Sequence, residues 1–108
     1  LRVLAADDDP VNLSVLRAQL EPRHVEVVTA KDGQDALAKL DAEGPFDVVL
    51  LDVMMPKLSG YDVCRRVREQ YSAAELPVLL RTAKTQVRDL AAGFDAGAND
   101  YLTKPLSR

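Results

Sequence analysis

The sequence contains a single cysteine, Cys64, in 108 residues. One cysteine cannot form a disulfide within the chain, and it cannot supply the several thiolates of a cysteine-based metal site. Long apolar runs are also missing, because no stretch reaches the roughly 18 residues that a membrane-spanning helix needs. We therefore expect a protein of a reducing compartment, the cytoplasm, that makes no membrane contact.

Positive charge is in short supply as well. The chain has 14 lysines and arginines against 17 acidic residues, and the basic residues are scattered along it. No surplus of positive charge is left to neutralise phosphates, so direct contact with nucleic acid is not expected. With 47% hydrophobic residues, the chain can bury roughly two thirds of its unfolded surface. We expect one domain, residues 1–108.

Five apolar segments rich in β-branched residues alternate with segments of helical periodicity. The predicted strands are Arg2 to Ala6, Val25 to Ala30, Phe46 to Asp52, Pro77 to Thr82 and Tyr101 to Thr103. Between them, four sets of apolar residues recur at helical spacing: Leu13, Leu16 and Leu20; Ala36, Leu37 and Leu40; Cys64, Val67 and Tyr71; Val87, Leu90, Ala91 and Phe94. This alternation is typical of βαβ units. It predicts an α/β fold in which helices cover both faces of a parallel sheet.

Residues that favour helix ends lie where this scheme needs them. Asp9 can cap a helix whose first residue is Pro10, and Pro22 can stop that helix. Gly97 suits the end of the last helix, after Phe94. These residues support the predicted boundaries.

Polar residues follow the predicted strands at the edge where such folds bind ligands. They are Asp7 and Asp8 after the first strand, Asp52 at the end of the third, Thr82 at the end of the fourth and Lys104 after the fifth. Clustered carboxylates repel one another unless a cation relieves the repulsion. Mg²⁺ suits a few carboxylate oxygens together with water and phosphate, and a lysine and a hydroxyl suit phosphoryl oxygens. The pattern therefore predicts a divalent metal site that handles phosphate.

The sequence resembles the receiver domain of two-component response regulators, a resemblance that extends from Arg2 to Pro105. The segments that carry it are ADDDP, LLDVMMPKLSGYDV, LRTAK and AGANDYLTKP. It implies a doubly wound, five-stranded parallel sheet with the flavodoxin-like order 2-1-3-4-5. Family receivers continue with a fifth helix after their Lys-Pro pair, so we expect that helix to be absent from this chain. We further expect a domain that is truncated and was cut from a larger multidomain signalling protein.

The resemblance assigns chemical roles to the acidic residues. Asp52 matches the phosphoacceptor that attacks the phosphoryl group of a phosphohistidine. Asp8 matches a direct Mg²⁺ ligand, and Asp7 a nearby acid that acts through water. Asp52 and the backbone carbonyl of Met54 would complete the protein's share of the coordination.

Five further positions have counterparts in the family or depart from it. Lys104 would pair with the phosphoryl group, Thr82 would move to hydrogen-bond it, and Tyr101 matches an aromatic switch residue. Pro105 matches a position that commonly follows a cis peptide bond. Arg81 stands where an apolar residue is common, so either its stem packs while its head reaches solvent, or it contacts a partner.

The function implied by the resemblance is a phosphorylation switch. The domain would catalyse its own Mg²⁺-dependent aspartyl phosphorylation and dephosphorylation, so it is not a conventional enzyme. Its partners would be a histidine kinase or histidine phosphotransfer domain and an attached output or kinase domain. Apolar surface left bare without a fifth helix also makes a homodimer a candidate assembly.

Other classes of function fit the sequence less well. A haloacid dehalogenase-type phosphatase could use Asp7 and Asp9, but it needs its lysine before a final acidic pair, whereas Lys104 comes last. A flavodoxin-like cofactor site needs a Ser/Thr/Gly-rich phosphate loop, and ADDDP has the opposite charge. A receiver-like interaction module that is not phosphorylated is the alternative that stays open.

Overall fold

This computed structural model describes the backbone of residues 1–82 and 87–103 and the side chains of residues 1–82 and 91–101. The strands are β1 (Arg2–Ala6), β2 (Glu26–Ala30), β3 (Val48–Asp52), β4 (Val78–Thr82) and β5 (Asp100–Thr103). The α-helices within the described residues are α1 (Pro10–Leu20), α2 (Gly33–Glu43), α3 (Gly60–Arg68) and α4 (Val87–Asp95), and a short 3-10 helix spans Glu21–Arg23. Every predicted strand is present, and β1 has the predicted bounds.

The five strands form one parallel sheet in the order β2-β1-β3-β4-β5. The predicted order 2-1-3-4-5 is therefore confirmed. β3 begins at Val48 rather than at the predicted Phe46, although Phe46 is buried in the same core cluster as the strand. The backbone N–H of Asp47 donates to the Arg2 carbonyl at 2.8 Å, which sets the register where β3 begins.

Side chains alternate between two apolar layers along each inner strand, as the period of a strand requires. In β1, Leu4 and Ala6 join the layer under α2 and α3, whereas Val3 and Ala5 join the layer under α1. Both faces of the sheet are therefore covered, as the near-continuous apolar strands predict.

The predicted helix ends are also confirmed. The Asp9 carboxylate accepts a hydrogen bond from the Val11 N–H at 2.9 Å, and Pro10 opens α1. α1 ends at Leu20, and Pro22 lies in the 3-10 turn that follows. Gly97, two residues after α4, has a φ of 102°, which is a conformation that glycine adopts at little cost.

Cys64 lies on the inner face of α3 and is fully buried, as its position in the apolar pattern predicts. Burial raises the pKa of its thiol above the ordinary value, although the positive charges of Arg68 and Arg65 oppose the shift. A buried, protonated thiol is a poor nucleophile. We therefore assign Cys64 to packing.

α4 forms as predicted, but its apolar residues are not all buried. Ala91 is exposed, and Phe94 is 50% exposed.

Within residues 1–82 and 87–103, no helix is both long enough and apolar enough to cross a bilayer.

Candidate functional site

Three carboxylates meet at the carboxyl edge of the sheet. Asp7 and Asp8 follow β1, and Asp52 ends β3, which is the neighbouring strand. Carboxylate oxygens of the three residues all lie within 4.8 Å of one another. Asp7 and Asp52 are buried, whereas Asp8 is exposed. The fold therefore brings the three predicted acids together, with one of them open to solvent.

Asp7 is held in place by groups at the start of α1. Its Oδ1 accepts from the Asp9 N–H at 2.9 Å, and its Oδ2 accepts from the Asn12 side-chain amide at 3.1 Å. Asn12 was not predicted as a site residue. The available signal was its place in the first turn of the helix that follows the acids.

The loop after β3 is hydrogen-bonded to the carboxylate of Asp52. The Met54 N–H lies 3.3 Å from Asp52 Oδ1 and donates to it. The Met54 side chain is 77% exposed, whereas Met55 is buried in the core. The backbone of Met54, rather than its thioether, is therefore the part of this residue that is close to the acids.

Gly60, the first residue of α3, brings that helix close to the backbone of Asp52. Its N–H donates to the Val53 carbonyl at 3.0 Å. A Cβ at this position would lie 2.5 Å from the Asp52 carbonyl oxygen and 3.0 Å from Val53 Cα. Because these contacts are with backbone atoms, they cannot be relieved by rotating a side chain.

We expect Gly60→Ala to lower the free energy of unfolding by about 2 kcal/mol, since an added methyl group must push α3 away from β3. Urea unfolding measures this loss. Ser59→Ala is the comparison, because it removes the side-chain cap of the same helix without adding an atom and should cost about 1 kcal/mol. A Gly60→Ala loss no larger than that of Ser59→Ala would contradict the steric argument.

Thr82 and Tyr101 lie on the two strands beyond Asp52. Thr82 is buried at the end of β4, and its Cα pairs in register with that of Thr103. The Tyr101 ring is half-buried and forms a T-shaped contact with the ring of Phe94, with ring centres 5.8 Å apart. Its hydroxyl lies 3.4 Å from that of Tyr61. Lys104 and Pro105, with their predicted roles, lie outside the described residues.

The Tyr101 hydroxyl occupies a space that only a glycine leaves open on α4. A Cβ at Gly93 would lie 2.1 Å from that hydroxyl oxygen. The ring could therefore not hold this position against an alanine.

Arg81 is buried, which excludes the first of the two alternatives that the sequence left open, the one in which its head reaches solvent. Its side chain is 5% exposed, and its Nη1 lies 3.6 Å from Asp7 Oδ2. Its Cα pairs in register with that of Asp52 on β3. The group that Arg81 contacts is therefore the acid cluster of its own chain.

The donor set fits a hard divalent cation. Mg²⁺ is bound in proteins through one or two carboxylates, while water and phosphate oxygens complete its octahedron. The cluster offers three carboxylates, of which the exposed Asp8 leaves a side open for water and a phosphoryl group. The residues present therefore fit the predicted Mg²⁺.

Comparison with known proteins gives a consistent picture. The family model described as the response regulator receiver domain matches residues 3–108. The alkaline phosphatase synthesis transcriptional regulatory protein PhoP of Bacillus subtilis is 42% identical over 106 residues, which are 98% of this chain and 43% of that protein. The response regulator PleD of Caulobacter vibrioides is 42% identical over 105 residues, which are 97% of this chain and 23% of that protein.

Solved structures share the fold. The chemotaxis protein CheY4 of Vibrio cholerae superposes with a TM-score of 0.92 at 35% identity, covering 98% of this chain and 88% of that one. A probable two-component system response regulator/GGDEF domain protein also gives 0.92, at 30% identity, covering 99% of this chain and 44% of that one. The chain thus spans less than half the length of the curated relatives named above.

Proposed function

This chain belongs to the response regulator receiver domain family, and we propose that it is a phosphorylation switch whose phosphoacceptor is Asp52. The observation that carries the proposal is the meeting of Asp7, Asp8 and Asp52 at one edge of the sheet. Receiver domains of two-component systems bind Mg²⁺ at an acidic pocket of this kind. Asp52 is the member of the cluster at the end of the central strand, which has β1 on one side and β4 on the other.

Mg²⁺ would be held by Asp8, by Asp52 and by the backbone carbonyl of Met54, with Asp7 acting through water. When bound, it supplies positive charge opposite the phosphoryl oxygens. The protein's part is to keep the three carboxylates close in the absence of phosphate. The hydrogen bonds from the Asp9 N–H and the Asn12 amide to Asp7 serve this purpose.

The transfer step uses one carboxylate oxygen of Asp52. That oxygen attacks the phosphorus of a phosphohistidine, so an O–P bond forms and the P–N bond breaks. The imidazole of the donor leaves and takes up a proton. Lys104 pairs with the charged phosphoryl oxygens, and the Thr82 hydroxyl donates to one of them.

The conformational response would pass from Thr82 to Tyr101. Phosphorylation adds negative charge at Asp52, and attraction of the Thr82 hydroxyl changes the space beside β5. The Tyr101 ring, seated over Gly93 and against Phe94, is the side chain that would turn inward. A switch of this kind responds only if the modification favours one conformation over the other.

The partners follow from the family and from the lengths of the relatives. Receiver domains interact with histidine kinases, and those of PhoP and PleD are parts of longer proteins. We therefore propose that this domain takes phosphate from a histidine kinase or a histidine phosphotransfer domain. It would regulate an attached output or kinase domain.

Incubation with acetyl phosphate tests the proposal, with intact-mass measurement as the readout. We expect one phosphoryl adduct per chain with Mg²⁺ and none when EDTA replaces the metal, because the cluster requires a cation before it accepts a phosphoryl group. No adduct in a folded sample that binds Mg²⁺ would contradict the proposal. That result would favour the unphosphorylated interaction module.

A further inference from the structure

An arginine lies within the buried part of the sheet beside the acid cluster. Arg81 is the fourth residue of β4, between the buried Leu80 and Thr82. Burying a guanidinium is costly unless a counter-charge and hydrogen bonds compensate for its lost hydration. The interaction that compensates it must therefore lie within the protein.

The alternation along the strands directs Arg81 towards the acids. Val3 and Ala5 of β1, Leu50 of β3 and Leu79 of β4 all belong to the layer under α1. Two residues further along each strand, the same face carries Asp7, Asp52 and Arg81. The arginine thus continues the row of side chains that includes two of the three carboxylates.

The contact between Arg81 and Asp7 is close enough for attraction but is not a locked pair. Nη1 lies 3.6 Å from Asp7 Oδ2, with both side chains almost fully buried. This is longer than a hydrogen bond and is not the two-bond fork that arginine forms with a carboxylate at its strongest. Within the described residues, Arg81 Nε has no hydrogen-bond partner. Among these residues, Nε therefore adds no hydrogen bond that would fix the guanidinium beside Asp7.

From these observations we propose that Arg81 is a built-in counter-cation of the acid cluster, which competes with the divalent ion for the charge of Asp7 and weakens Mg²⁺ binding. The guanidinium offsets one of the three negative charges, so a divalent ion meets a less negative site than three carboxylates alone would make. Two cations near one carboxylate repel each other, and burial strengthens that repulsion. This inference rests on the proposed metal site.

The consequence is a higher Mg²⁺ requirement for phosphorylation. With an apolar residue at this position, the same three carboxylates would bind Mg²⁺ more tightly, because no second cation would lie beside Asp7. Here the positive charge of Arg81 reduces the repulsion between the carboxylates when no metal is bound. The same charge lowers the affinity of the cluster for Mg²⁺. The cluster would then be stable without Mg²⁺, and it would bind Mg²⁺ only at a higher metal concentration than a cluster without the arginine.

Titration of Mg²⁺ into the folded chain by calorimetry tests this inference. Arg81→Met keeps an unbranched stem and removes the charge, and we expect it to lower the Kd for Mg²⁺ about tenfold. Arg81→Lys keeps the charge and should remain within about threefold of the parent chain. Arg65→Met is the matched control, because Arg65 is exposed and pairs with Asp62 on its own helix; its Kd should not change.

The outcomes separate this inference from the proposed function. An unchanged or higher Kd for Arg81→Met, with Mg²⁺ binding to the parent chain, would overturn the counter-cation role and leave the metal site standing. No Mg²⁺ binding by any variant would overturn both. If Arg81→Met is folded in EDTA but too unstable for calorimetry, the increase in its Tm between EDTA and Mg²⁺, set against that of the parent chain, gives the same comparison. Arg81→Gln, neutral and polar, replaces it if folding fails in both buffers.

Discussion

Replacing Asp52 by asparagine is expected to abolish the phosphoryl adduct completely, in Mg²⁺ and acetyl phosphate, while the domain stays folded. Asparagine has nearly the same shape as aspartate, but its neutral amide oxygen is not an effective nucleophile. The amide oxygen can still accept the hydrogen bond that the Met54 N–H donates to the carboxylate at 3.3 Å. Intact-mass measurement reports the adduct, and urea unfolding of the same sample reports the fold.

Asp41→Asn is the matched control for this experiment. Asp41 is an exposed acid on α2, so the same chemical change there should leave the adduct at its full level. An adduct on Asp52→Asn would show that another group accepts the phosphoryl, and peptide mapping would then identify it. Asp8 would be the first position to check, because it is the exposed carboxylate of the cluster.

The parts of the fold that were predicted from sequence depend on local pattern. The bounds of β1, the cap at Asp9 and the end of α1 near Pro22 each follow from residues within one or two turns of the position concerned. The meeting of Asp7, Asp8 and Asp52 also follows, because parallel strands bring their carboxyl ends to one edge. These features need only the periodicity and the rule for doubly wound sheets.

The features that could not be predicted are contacts between residues far apart in sequence. Arg81 could have reached solvent or another group, and only the packing of β4 beside β3 decides that it faces Asp7. The exposure of Phe94 is a similar case. Its spacing on α4 matches an apolar face, yet the ring lies at the surface, in a T-shaped contact with the ring of Tyr101. Periodicity indicates which residues share a face, but tertiary packing decides how deeply that face is covered.

The contacts of Arg68 were not predicted either, and replacing this residue has the largest expected effect on stability. Arg68 is the last residue of α3. Its guanidinium donates hydrogen bonds to carbonyl groups on the loops before β4 and β5. Nε donates to the Gly97 carbonyl at 2.7 Å, Nη1 to the Leu76 carbonyl at 2.8 Å, and Nη2 to Asn99 Oδ1 at 2.6 Å. Nη1 also approaches the Tyr71 and Ser72 carbonyls, at 3.4 and 3.3 Å.

The partner Asn99 extends this network into the sheet. Its Oδ1 also accepts from the Val78 N–H at 3.0 Å, and its own N–H donates to the Val78 carbonyl at 2.8 Å. Val78 is the first residue of β4. Arg68 therefore joins the end of α3 to the point where β4 begins and to the turn that leads into β5.

We expect Arg68→Met to lower the free energy of unfolding by about 3 kcal/mol, since it removes several hydrogen bonds from a charged donor and leaves their acceptors unpaired. Arg65→Met, the same substitution one turn earlier on α3, should cost less than about 0.5 kcal/mol, because an exposed ion pair contributes little. Urea unfolding of both variants gives the comparison. Equal losses would mean that the carbonyls around Arg68 find water as readily as they accept the guanidinium, and the loops before β4 and β5 would then hold their positions without it.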